Sequence, residues 1–145
     1  MAVLTASKER QYPLVAQFTF NFSDTMLDTS GVSKDFGAAD LAARSFAVVN
    51  LPYGAVVTGG SLARTTAFDT AGYDVTVGDA TTADRYLAST DVKAAGVTAL
   101  VPTGYVSDGG NIIMSVATDD VCTTGVATLT VEYVITGRCN EIQTH

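Results

Sequence analysis

The segment from Gly125 to Asn140 constrains the fold more than any other. Ala127, Leu129, Val131, Tyr133 and Ile135 fall on one parity. Thr128, Thr130, Glu132 and Thr136 fall on the other, with Val134 the single exception. Successive side chains of a strand point to opposite faces, so this alternation predicts a half-buried β-strand, one face on a core and the other in water. The strand runs into the polar stretch Gly137-Arg138-Cys139-Asn140-Glu141, with no helical pattern behind it. A strand of this kind suits a compact all-β shell or binding protein better than an enzyme.

Other stretches repeat the pattern. Leu14 to Phe22 alternates Leu14, Ala16, Phe18, Phe20 and Phe22 against Val15, Gln17, Thr19 and Asn21. Ser45 to Leu51 is a strand stopped by Pro52. Ala55 to Thr65 is a strand broken at Gly59-Gly60, where a bulge or close backbone contact is expected. Phe68 to Gly78 places Tyr73, Val75 and Val77 on one face, and Val97 to Val106 is interrupted at Pro102. Asn111 to Ala117 is apolar on both faces and belongs at the centre of a sheet. Two short helical segments are expected. One is a turn at Ala38 to Arg44. The other is a short helix at Thr81 to Ala88, where Thr82 caps and Ala83, Tyr86 and Leu87 share a side.

Seven or eight strands separated by Gly- and Asp-rich turns predict a β-sandwich or barrel. The long connections Ser23 to Ala43 and Gly78 to Gly96 favour a jelly-roll or Greek-key arrangement. The expected architecture is therefore all-β, a jelly-roll sandwich with one short helix. Residues 1–13 form an N-terminal arm ending at Pro13, and residues 14–145 form a single domain, as a length of 145 residues allows.

Charged residues make up only 16% of the chain, with Thr, Ala, Gly and Ser in their place. A surface short of charge is either an ordinary Thr-rich strand face or one covered by a partner. The net charge of −7 repels phosphate backbones, and no Lys/Arg cluster offsets it, so nucleic acid is not an expected partner. No apolar run approaches the roughly 20 residues that cross a bilayer. Met1 to Tyr12 carries Lys8, Glu9 and Arg10 without a long apolar run, unlike a secretory leader. Cys122 and Cys139 are expected as free thiols in a reducing compartment.

Catalytic machinery is not expected. The single histidine is His145, a position unsuited to holding a nucleophile's proton in fixed geometry. There is no zinc spacing of Cys and His and no phosphate loop. Asp69, Asp74, Asp79, Asp119 and Asp120 read as turn residues and strand ends, without the spacing of a calcium loop. No catalytic residue, metal ligand or cofactor is therefore assigned. Tyr12, Tyr53, Tyr86 and Tyr105 are candidates for a sugar-stacking face or for core edges.

Two local patterns carry a resemblance. One is Tyr73-Asp74-Val75-Thr76-Val77-Gly78-Asp79 followed by Ala83-Asp84-Arg85-Tyr86-Leu87-Ala88. The other is Thr130-Val131-Glu132-Tyr133-Val134-Ile135 followed by Gly137-Arg138 and Asn140-Glu141. Together they resemble the small capsid cement, or decoration, proteins of tailed bacteriophages with a jelly-roll fold. The resemblance implies a non-enzymatic virion component on the outer capsid surface, present in the host cytoplasm during assembly. Its partners would be the major capsid protein and itself, as a homodimer or homotrimer, and it would clamp the lattice against the pressure of packaged DNA. No contact residue transfers by position. From the arm itself, Lys8, Arg10 and Tyr12 are the expected capsid contacts, combining charge and an aromatic ring before a rigid proline. The competing expectation is a carbohydrate- or receptor-binding β-module of a phage tail or head fibre.

Overall fold

The computed structural model describes residues 2–138 and 141–142. In chain order the strands are β1 (Glu9–Arg10), β2 (Leu14–Asn21), β3 (Thr25–Leu27), β4 (Ser33–Asp35), β5 (Asp40–Asn50), β6 (Tyr53–Thr66), β7 (Tyr73–Gly78), β8 (Leu87–Asp91), β9 (Gly96–Ala99), β10 (Val106–Asp108), β11 (Asn111–Thr118), β12 (Val126–Ile135) and β13 (Glu141–Ile142). One sheet runs β2-β12-β6, and the far edge of β6 is shared by β9 and β10. The other runs β5-β11-β7-β8. Every pairing is antiparallel. With β9 and β10 taken as one interrupted strand, each link between main strands crosses from sheet to sheet, except the β7–β8 connection. That is the jelly-roll path, two Greek keys folded face to face. A β3–β4 hairpin closes one side, and β1 pairs with β13 beside the sandwich.

The parity of β12 emerges as predicted. Ala127, Leu129 and Val131 are fully buried, and Thr128 and Thr130 lie on the outward face. β11 is central in its sheet, flanked by β5 and β7, which is why Ile112, Met114 and Val116 are all buried. Between the sheets runs a line of rings. Phe18 lies 6.0 Å from Phe20, Phe20 lies 4.9 Å from Phe36, and Phe36 lies 4.6 Å from Phe46. A branch leads from Phe20 to Phe68 and on to Tyr73. Each buried ring contributes about 2–3 kcal/mol of transfer free energy before entropy is subtracted.

Both helical expectations are corrected, since the described residues contain no helix. Ala38 to Arg44 leads into β5, where Asp40 pairs with Thr118 and Arg44 with Val116. Helix propensity is a weak preference that tertiary pairing overrides. Arg44 is buried here: its Nη1 donates to Asp35 O (2.6 Å) and Ala38 O (3.2 Å), and its Nη2 donates to Thr118 Oγ1 (3.0 Å). Thr81 to Tyr86 is a turn, and Leu87 and Ala88 open β8. The Asp79 carboxylate takes the N–H groups of Thr81 (2.9 Å) and Thr82 (2.8 Å), and Tyr86 N donates back to Val77 O (2.9 Å). A side chain that captures backbone donors in this way competes with the helix. Ser23 to Ala43, read as otherwise irregular, contains the β3–β4 hairpin. The expected strand Phe68 to Gly78 is regular only over β7, although Phe68 itself is buried.

The bulge or close backbone contact expected at Gly59-Gly60 is found in both forms, although the strand itself is not broken. β6 runs unbroken, and Thr58 is an extra residue between the pairs Val57–Tyr133 and Gly59–Glu132. At Gly60 the backbone has φ of 135°, and an added Cβ would collide with Thr130 O, with Leu100 Cδ1 at 3.0 Å. Gly59 has open space around it and no positive φ. Gly60→Ala is expected to destabilise the fold by at least about 2 kcal/mol, and Gly59→Ala to stay within about 0.5 kcal/mol, in urea titrations of both variants.

Candidate interaction surface

The outward face of the β2-β12-β6 sheet is built by register. Across it, Thr128 stands between Thr19 and Ala63, Thr130 between Gln17 and Ser61, and Glu132 between Val15 and Gly59. β9 extends the grid, with Ala99 opposite Ser61 and Val97 opposite Ala63. Among the outward positions of β2, β12, β6 and β9, Glu132 is the one ionisable side chain. The polar groups satisfy one another: Thr19 and Thr128 hydroxyls hydrogen-bond at 2.8 Å, and Gln17 Nε2 donates to Thr130 Oγ1 at 3.3 Å.

Past the Thr58 bulge the face becomes apolar. Val134 pairs with Val56, and Val56 with Val106, so three valines form a row across β12, β6 and β10. Val15, 59% exposed, lies diagonal to it. Tyr12 and Tyr53 stand at the same end of the sheet, because β2 starts, β12 ends and β6 starts there. They are 69% and 80% exposed. Val134, the parity exception in the sequence, is the β12 end of this row, and Val56 its centre. Single exposed apolar residues are ordinary, but a contiguous group on a flat sheet face marks a contact surface.

The arm is tied to this end by Gln11. Its Nε2 donates to Ile135 O (2.7 Å) and Arg138 O (2.8 Å), and its Oε1 accepts from Ile135 N (3.0 Å). A side-chain amide thus stands in for a strand partner just beyond the start of β2. Lys8, Arg10 and Tyr12 are all exposed. Arg10 folds back on the arm, donating to Ser7 O (3.0 Å) and Glu9 O (2.9 Å). Tyr12 joins the apolar end, whereas Lys8 and Arg10 sit beside β13. Tyr53 is among the tyrosines the sequence offers for a stacking face; the valine row is signalled there only by the parity break at Val134.

The remaining candidates serve structure. Tyr86 is buried, and Tyr105 lies under the Arg85 guanidinium at 3.7 Å, so the four tyrosines form no common platform. Arg85 also ion-pairs with Asp79. Burial pushes the Asp79 carboxyl up, but the Thr82 N–H, Arg85 and the Thr81 N–H outweigh it and hold the group below its usual range. The Asp79…Arg85 stretch of the sequence is therefore a turn clasp. Among the described residues no three His, Cys, Asp or Glu side chains converge as metal ligands. A cleft of about 410 Å³ beside Phe22, Gly37 and Cys122 offers one carboxylate, Asp35, and one thiol. Burial, followed by the Asp69 charge, pushes that thiol up to about 11. Cys122 is a buried free thiol; Cys139 and His145 lie outside the described residues.

The fold is that of a jelly-roll β-sandwich. It is shared along nearly the whole length with chains of two solved assemblies. One is the capsid asymmetric unit of cyanophage Pam1, with a TM-score of 0.58, 18% identity, and 93% of this chain covering 92% of that one. The other is the acidic stable capsid structure of Helicobacter pylori bacteriophage KHP30, with a TM-score of 0.61, 18% identity, and 93% covering 96%. At that identity the likeness is one of fold. No protein-family model matches the sequence, and no curated protein is significantly similar.

Asp69 staples the loop before β12. Its carboxylate accepts from Thr123 Oγ1, Thr124 N (2.8 Å) and Thr123 N (2.7 Å), which together lower it to about 2. A carboxyl depressed in the folded state adds stability above its ordinary pKa near 3.8 and loses it as pH falls toward 2. Asp69→Asn is expected to melt below wild type at pH 7, with the gap closing between about pH 4 and 2 in thermal scans.

Proposed function

We propose that this chain is a structural virion protein, a capsid decoration protein that seats on the outer surface of the major capsid lattice and stabilises the head against DNA pressure. On this reading it performs no reaction, uses no cofactor and works as a homo-oligomer bound to the major capsid protein. The observation that carries the proposal is the outward sheet face with its row Val106–Val56–Val134, where Glu132 and, at the β10 edge, Asp108 are the carboxylates, on a chain of net charge −7. The two capsid assemblies that contain the same fold add support. An acidic chain with one face sparse in charge suits a protein that covers a shell full of nucleic acid.

The proposed contact joins the apolar row, Tyr53 and the arm residues Lys8, Arg10 and Tyr12. A capsid presents its docking site many times, so a symmetric oligomer holds several at once. Weak contacts per copy then add through high effective concentration.

The test is co-sedimentation with purified expanded capsids that lack the protein. Val134→Asp combined with Val106→Asp is expected to lower apparent affinity at least about tenfold, equivalent to about 1.4 kcal/mol. Lys8→Ala, Arg10→Ala and Tyr12→Ala together, which leave the Gln11 clamp in place, are expected to lower it by a smaller factor. Unchanged occupancy of the valine double variant would overturn the docking face.

A further inference from the structure

The β2 strand is an open edge with a defined set of unused backbone groups. Phe22 N donates to Gly125 O (3.0 Å), which places Phe22 and, by alternation, Phe20, Phe18, Ala16 and Leu14 with their backbone groups toward β12. The intervening residues then direct N–H and C=O away from the sheet. Asn21 is satisfied locally, its N–H donating to Asp24 Oδ2 (2.9 Å) and its carbonyl accepting from Asp24 N (3.1 Å). For Val15, Gln17 and Thr19, all exposed, no backbone partner exists on that side among the described residues.

The other sheet edges are blunted. β5 carries two register shifts and the charged Asp40 and Arg44. β8 is five residues long, has a register shift in its pairing and ends at Asp91. β9 and β10 are short and split. β2 is eight residues, unshifted against β12, and has no proline or charge. Natural edges of that length are normally protected by such devices unless they are meant to pair. The core beneath is also incompletely covered: Leu14, Ala16 and Phe18 are only half-buried. An open cleft of about 250 Å³ runs past Phe18, Phe20, Met26 and Phe36.

We infer that β2 is a dimer edge, pairing antiparallel with β2 of a second copy about a two-fold axis through Gln17. This deepens the oligomer part of the proposed function and selects the dimer. Val15 stands opposite the second copy's Thr19, and Gln17 opposite its own counterpart. All three residues exchange N–H···O bonds in both directions, in the manner of strand addition. On the inner side Ala16 faces the second copy's Phe18 and closes over its exposed flank. The contact is isologous, as two-fold symmetry requires. Charge favours it. No ionisable group lies in either strand, and chain direction brings the Arg10 end of one copy beside the Asp24 end of the other.

The test is sedimentation velocity on the purified full chain, with no capsid present. Wild type is expected as a concentration-dependent dimer. Gln17→Pro removes an edge-facing N–H that the chain's own sheet does not use, so it is expected to be a monomer that still melts cooperatively. Should that variant fail to fold, Val15→Lys with Thr19→Lys decides, because it sets lysines against each other across the axis and leaves the inner face intact. Hydrogen exchange at the Val15, Gln17 and Thr19 amides is expected to slow as wild type dimerises. A wild-type monomer or trimer, or a dimer that persists in the folded edge variants, would overturn the inference. Unchanged capsid occupancy by the Val134→Asp, Val106→Asp variant as an intact dimer would instead count against the docking face alone.

Discussion

Ring-to-ring packing across the sandwich is the contact on which the other features rest. Phe20 belongs to one sheet and Phe46 to the other, and Phe36, from neither, stands between them. Because Phe36 follows directly on β4, the same contact that joins the layers also seats the β3–β4 hairpin. Tyr73 adds a polar tether, its hydroxyl donating to Phe36 O at 2.8 Å, and burial raises its ionisation well above the usual phenol range. Arg44 and Thr118 hold the carbonyls on the far side of Phe36, so the connection into β5 is fixed by rings within and hydrogen bonds without.

That anchoring divides the work between turns and faces. In the turns, Asp28, Asp69 and Asp79 each accept backbone N–H groups. The outward face of the β2-β12-β6 sheet is left nearly free of charge. The low charged fraction of the chain is therefore unevenly spread: carboxylates anchor the turns, and Glu132 stands alone among the outward positions of β2, β12, β6 and β9.

Local pattern carried as far as local physics decides the outcome. The alternation in β12 and the two-sided apolarity of β11 were legible because burial imposes a period of two on each strand. Ala83, Tyr86 and Leu87 have the i, i+3, i+4 spacing of a helical face, while the Asp79 carboxylate and the return to Val77 decide for a turn. The Gln11 clamp joins residues far apart in sequence, and nothing in either segment announces it. Tyr53 and Val106 reach the candidate face only through the register of β6 and β10. The openness of β2 is likewise a property of topology: its own residues do not say which strand ends up outermost.

The composition of the outward face has a thermodynamic consequence. Valine and threonine have few rotamers to lose, and the Thr19–Thr128 and Gln17–Thr130 pairs are already held in place. Covering such a face freezes little side-chain motion, where lysines and glutamates would each forfeit about 1.5–2 kcal/mol of freedom. Attachment through it would respond weakly to ionic strength, because almost no counter-ions are displaced, and would carry the negative heat-capacity change of apolar burial.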